Sequence, residues 1–164
     1  MRCNTNLVEN NEITLDDCFN FYEKYELLTG DNQMFCGICK QRCDSLINSK
    51  IYLCPRVLII TLNRGKNNNF KLKLNFEEII DITKFVSVKK GKVIYKLVSV
   101  ITYYIEGDSN GQFLAFCRSP IDNHWYKYKD EDISEVKDIK KDIIDFAVPY
   151  ILFYKKVELI KEKN

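Results

Sequence analysis

An α+β fold, mainly an antiparallel sheet with a few helices, is predicted by three features of this 164-residue sequence. Segments suited to strands follow one another from Ser49 onward, while helical spacing is confined to a stretch opened by Thr14 and another from Val136 to Phe146. GQFLAFCRSPIDNHWYKY, from Gly111 to Tyr128, reads as two alternating strands joined at Pro120-Ile121-Asp122-Asn123, a hairpin signal. The length suits one folded unit that can bury a core without disulfides.

Taken in order, Thr14-Leu15-Asp16-Asp17 opens a helix. Thr14 can cap the free N–H groups, and Asp16 and Asp17 sit favourably in the first turn. Leu15, Cys18, Phe19 and Tyr22 would form its inner face, and the helix is expected to stop near Gly30. A turn and a cysteine knuckle, GDNQMFCGICKQRCDS, come next. The β-branched run Val57 to Leu62 predicts a strand buried on both faces, with Pro55 at its beginning. Lys66 to Asn69 is a polar loop, and KLKLNFEE alternates as a half-buried strand does. Further strands begin at Tyr95, in the two halves of the hairpin, and at Val148. Phe70, Phe76, Phe85, Tyr95, Phe113, Phe116, Tyr126 and Tyr128 suit a sheet packed against helices.

Lys and Arg number 25 against 23 Asp and Glu, so there is no concentrated basic face and nucleic acid is not an expected partner. The sequence has no long apolar run and no signal-peptide pattern at its start, which excludes a membrane span and predicts an intracellular protein, cytoplasmic or nuclear. Seven cysteines are an odd number for a disulfide framework. In a reducing compartment Cys36-x-x-Cys39 reads as a metal or redox pair.

The order Thr14-Leu15-x-x-Cys18, Glu26-x-Leu28, Gly30-Asp31-Asn32, Phe35-Cys36-x-x-Cys39 and Pro55-x-Val57-Leu58-x-Ile60-x-Leu62-x-Arg64 resembles the ubiquitin-specific protease family. The later order agrees. Gly111-Gln112-Phe113 stands where the family has Gly-His-Tyr, Trp125-Tyr126-Lys127-Tyr128 resembles its Trp-x-x-Phe, and Tyr150 to Tyr154 closes the domain. The resemblance implies a hand-like domain and covers its C-terminal part: fingers over 14–48 (helix and cysteine knuckle) and a palm-like sheet over 49–155. Residues 1–13 would be a disordered or poorly packed N-terminus and 156–164 a charged tail. The thumb with its nucleophilic cysteine is expected to be absent from this chain.

A cysteine protease requires a thiolate, an imidazole to generate it and a third group to orient that ring. By the resemblance, the histidine position falls on Gln112 and the Asp or Asn position on Lys129. Gln112 can hydrogen-bond but cannot act as a general base near neutral pH, and Lys129 offers only donors where an acceptor is needed. A further family histidine upstream aligns with Tyr103. Asp130 matches the acidic residue that follows the third position. It is either a relic of the site or a turn residue of Lys129-Asp130-Glu131-Asp132. His124, the only histidine, lies at the wrong end of the hairpin for a base and reads as a surface residue.

Two thiolates spaced as Cys36 and Cys39 have the bite of half a tetrahedral zinc site. The family's other pair is broken, with only Cys3 near its place, and Cys43 would have to complete the set with Cys3, Cys36 and Cys39. Structural zinc and a metal-free knuckle are both open on the sequence, and the expected cofactor is none. Cys18, Cys54 and Cys117 fall in apolar patterns as core cysteines.

The expected function is therefore a deubiquitinase-like chain that is not itself an enzyme. It would bind ubiquitin, a ubiquitin-like protein, or a protein that covers the palm face left by the missing thumb. The alternatives are a fragment of an active cysteine deubiquitinase and a gene remnant.

Overall fold

The computed structural model describes residues 12–63, 73–88, 91–104, 111–144 and 148–158. Cys3, Arg64, the Lys66 to Asn69 loop, Phe70, Phe146 and the tail beyond 158 lie outside the described residues.

Strand β1 (Glu12–Thr14) runs directly into helix α1 (Leu15–Tyr22). Glu12 and Ile13, which the sequence assigns to a poorly packed N-terminus, are thus part of a strand, and Ile13 is buried. A reciprocal capping box makes the transition: Thr14 Oγ1 accepts from the Asp17 N–H at 3.1 Å, and Asp17 Oδ2 accepts from the Thr14 N–H at 3.0 Å. Leu15, Cys18 and Phe19 are buried as expected, but Tyr22 is exposed. The helix ends at Tyr22, well short of Gly30. The chain tightens there through the Glu23 and Lys24 N–H groups onto Phe19 and Phe21 carbonyls. Residues that could have continued the helix instead form β2 (Glu26–Leu28), paired antiparallel with β5 (Ser45–Ile47). Strand pairing overrides helical propensity here. Between them, β3 (Met34–Cys36) and β4 (Gln41–Cys43) form a second short hairpin.

The remaining strands are β6 (Val57–Thr61), β7 (Lys73–Asn75), β8 (Ile79–Asp81), β9 (Ile94–Tyr104), β10 (Gln112–Arg118), β11 (Trp125–Lys129), β12 (Asp132–Val136) and β13 (Val148–Lys156). Helix α2 (Ile139–Ile144) precedes β13. Six of the strands lie in the order β12-β11-β10-β9-β13-β6, and β8 joins the N-terminal half of β9, with every pairing antiparallel. β7 pairs in parallel with β1.

Paired residues on an antiparallel ladder share a face. The row Ile60, Leu152, Val100 and Phe116 is buried. It faces α1, Leu74, Ile82, Phe85 and α2 in one core, within which Phe19 stacks on Phe85 at 4.9 Å. Tyr95 and Tyr154 are fully buried, and their hydroxyls donate to the Pro55 and Glu77 carbonyls at 2.6 and 2.7 Å. These bonds fix the connections that flank the sheet.

The opposite face carries the row Thr61, Ile151, Ile101, Ala115, Tyr128 and Ile133, with Ile59 and Phe113 beside it. Ile59, Phe113 and Ile133 are each more than half exposed. This corrects the expectation for Val57 to Leu62: β6 stands at an end of the strand order with one face buried and the other open. A second correction concerns Val136, which ends β12, so that the helix begins only at Ile139.

Candidate functional site

The hairpin of β10 and β11 builds the site that the resemblance points to. Ala115 pairs with Tyr128 and Arg118 with Trp125, so Gln112 and Lys129 fall at the end of the ladder remote from the 119–124 turn. Alternation places Gln112 with the buried Leu114 and Phe116, and Lys129 with the buried Trp125, on the core-side face. The two positions are therefore brought to one end and one face, the arrangement a base and its orienting partner require. Gln112 is exposed, and Lys129 is half-buried and pairs with Asp132. Asp130 occupies the tight turn between β11 and β12 with φ of 50°. That left-handed position is one Asp tolerates, which accounts for the residue by turn chemistry alone.

His124 stands at the other end of the hairpin, about 20 Å away along seven residues of strand. Its Nδ1 lies 3.1 Å from Glu135 Oε1 on the surface. Nearby, Asp122 accepts from the Tyr126 hydroxyl at 2.7 Å and from the His124 N–H at 3.0 Å. Those bonds, the tyrosine's foremost, hold the Asp122 carboxyl down at about 2. Cys117 lies on the face opposite Gln112, its sulfur 3.2 Å from Ser99 Oγ.

Sequence reading missed an aromatic cluster on that opposite face. Tyr103 packs edge-on against Phe113 at 5.1 Å, and Phe113 against Tyr150 at 5.6 Å. A Cβ on Gly111 would lie 2.2 Å from Tyr103 Cζ, so any larger residue there has to displace that ring. No local signal reveals the cluster, because Tyr150 sits at an irregularity in the β13–β9 register between Pro149 and Ile151.

The knuckle places Cys36, Cys39 and Cys43 on the β3–β4 hairpin, with Cys39 and Cys43 sulfurs 3.3 Å apart. Backbone N–H groups of Cys39 and Ile38, with the Cys39 thiol, hold the Cys36 thiol below its ordinary range. The Cys39 contact pushes Cys43 up. Among the described residues no three His, Cys, Asp or Glu side chains are arranged to hold a metal ion. Cys18 is buried in α1.

Exposed apolar side chains gather on the two short hairpins: Leu27, Met34, Phe35, Ile38 and Leu46. A groove of about 660 Å³ lies between them and the end of α1, lined by Tyr22, Tyr25, Ile47 and Asn63 among others. No helix among the described residues is long and apolar enough to cross a membrane.

An antiparallel palm, short-stranded fingers and a Gly-x-Phe…Trp-x-x-Tyr hairpin define a domain of the deubiquitinase palm-and-fingers type. The family model described as ubiquitin carboxyl-terminal hydrolase matches residues 4–154, and the chain belongs to that family of cysteine-protease deubiquitinases. Ubiquitin carboxyl-terminal hydrolase 48 of Gallus gallus is 30% identical over 130 residues, covering 75% of this chain and 13% of the relative. Its Rattus norvegicus counterpart is 30% identical over the same length, covering 12% of that protein. The chain thus spans about an eighth of the length of these relatives. Among solved structures, the SAGA Ubp8/Sgf11/Sus1/Sgf73 DUB module bound to ubiquitin aldehyde is similar with a TM-score of 0.70 and 22% identity, over 90% of this chain and 35% of that one. A form of the module bound to monoubiquitin gives 0.70 and 24%, over 89% and 33%.

Proposed function

We propose that this chain binds ubiquitin or a ubiquitin-like protein through its palm and fingers and does not cleave it. The observation that carries the second half is the occupancy of one hairpin end by Gln112 and Lys129. An amide that does not titrate and a cation with only donors cannot generate a thiolate, reprotonate a leaving group or orient an imidazole. The binding half is supported by the exposed apolar fingers and the adjoining groove. It is also supported by the ubiquitin-bound state of the similar Ubp8 modules. The open sheet face around Ile59, Phe113 and Ile133 suits a further protein partner, in keeping with modules that contain Sgf11, Sus1 and Sgf73. This reading places the chain inside the cell, without metal or other cofactor.

A second reading, a portion of an active cysteine deubiquitinase, is favoured by the small share of its relatives that the chain covers. It still has to explain Gln112 and Lys129. Titrating labelled chain with ubiquitin to millimolar concentration is expected to shift NMR signals of the fingers and groove, and no shift at all would end the ubiquitin-binding reading. A fluorogenic ubiquitin C-terminal amide is expected to stay intact. Turnover that disappears in Gln112→Ala would overturn the non-cleaving reading.

A further inference from the structure

We infer that the Cys36–Cys43 knuckle is a redox-modification site, in which hydroperoxides join Cys39 to Cys43 as an intrachain disulfide. The inference rests on the cysteine geometry and is independent of ubiquitin binding. Cys39 and Cys43 sulfurs stand 3.3 Å apart, about 1.3 Å beyond a disulfide bond. The hairpin brings them there. Met34 pairs with Cys43 and Cys36 with Gln41, so Cys39 lies in the turn, where Lys40 at φ of 56° folds the chain back. Neither thiol is locked in the core: Cys39 is exposed and Cys43 half-buried, and their exposed neighbours Phe35 and Ile38 leave room for the turn to move.

Cys36 also contacts Cys39, so a Cys36→Ser variant is needed to separate its pairing from that of Cys43. The chemistry balances with hydrogen peroxide as oxidant. One thiolate attacks the peroxide oxygen, the O–O bond breaks, and a sulfenic acid and one water form after protonation. The second sulfur attacks the sulfenic sulfur, its proton leaves with the departing hydroxyl as another water, and the S–S bond closes. Both sulfurs are oxidised and the peroxide is reduced. A thiol such as glutathione reverses the step by exchange.

Trypsin supplies a direct readout, because it cuts after Lys40 and Arg42. A Cys39–Cys43 bond would link the peptide that ends at Lys40 to the one that begins at Cys43, with Gln41-Arg42 released between them. The fully reduced chain, freed of reductant and treated with about equimolar hydrogen peroxide, is expected to lose two titratable thiols and two hydrogens in mass. Digested without reduction, it should yield that linked pair, in Cys36→Ser as well as in the wild type, and Cys43→Ser should abolish it. Three results would each overturn the inference: no linked pair in the wild-type digest, loss of the pair in Cys36→Ser with its fold intact by circular dichroism, or stoichiometric zinc on the untreated chain that shields these thiols. If Cys36→Ser fails to fold, fragmenting the linked wild-type pair between Cys36 and Cys39, which share the peptide that ends at Lys40, decides which of them is bonded to Cys43.

Discussion

Replacing Trp125 separates the two contributions that its position makes. The indole is 7% exposed in the core, with the Arg118 guanidinium 5.8 Å from its ring, and its Nε1–H is buried with no hydrogen-bond partner among the described residues. Trp125→Ala removes the whole ring and is expected to destabilise by about 3–5 kcal/mol. Trp125→Phe is a different experiment. It sacrifices the outer part of the indole, on the order of 1 kcal/mol at about 25 cal/mol per Å², but also removes an unpaired buried donor worth about 1–3 kcal/mol of penalty. The two nearly cancel, so Trp125→Phe should unfold close to the wild type. Because this is the only tryptophan, its fluorescence cannot serve as the probe, and urea unfolding should be followed by far-ultraviolet circular dichroism. If Trp125→Phe loses as much stability as Trp125→Ala, the unpaired-donor reasoning is wrong.

Gly111→Ala should destabilise by about 1–3 kcal/mol through overpacking against the Tyr103 ring. In a Tyr103→Ala background the penalty should vanish, and an unchanged penalty in that double-mutant cycle would refute the assignment. Stability should also fall in alkali. Burial, with smaller contributions from Cys54, pushes the Tyr95 phenol up to about 12, and burial raises Tyr154 as well. Groups raised on folding stabilise fully below their unfolded value of about 10 and lose that contribution as pH climbs toward the folded one. Urea midpoints measured between pH 8 and 11 should decline above pH 10, and less steeply once both tyrosines are phenylalanine.

Most strands were legible because alternation and β-branching survive without knowledge of neighbours. Ile94–Tyr104, the Gly111–Tyr128 hairpin and Val148–Lys156 stand where their patterns put them. What could not be read is position within the sheet. Val57 to Leu62 has the composition of a doubly covered strand, yet its rank beside β13 leaves Ile59 in the open. The end of α1 was hidden for a similar reason: Glu26–Leu28 leaves helical conformation only because Ser45–Ile47 is available to pair. Strand β12 was obscured because Asp132 to Glu135 is exposed and has no clear apolar period. At the site, the shared face and end of Gln112 and Lys129 follow from two-residue periodicity once the hairpin is granted. Their meaning came only through the family resemblance, since a glutamine and a lysine carry no catalytic pattern themselves. The Cys39–Cys43 approach depends on a left-handed turn residue that composition does not announce.

The insertion of β13 between β9 and β6 imposes an order on assembly. Strands β9 to β12 are neighbours in the chain as well as in the sheet, joined by short hairpins beyond the first connection. They can zip together after modest loop closures. β6 has no such freedom, because its ladder is formed with β13, a strand that begins at Val148. Until β13 has docked on β9, the apolar run Val57 to Thr61 has no sheet to join, and its backbone groups and side chains stay available to other chains. The apolar strand β6 is therefore one whose pairing partner is the last described strand to leave the ribosome.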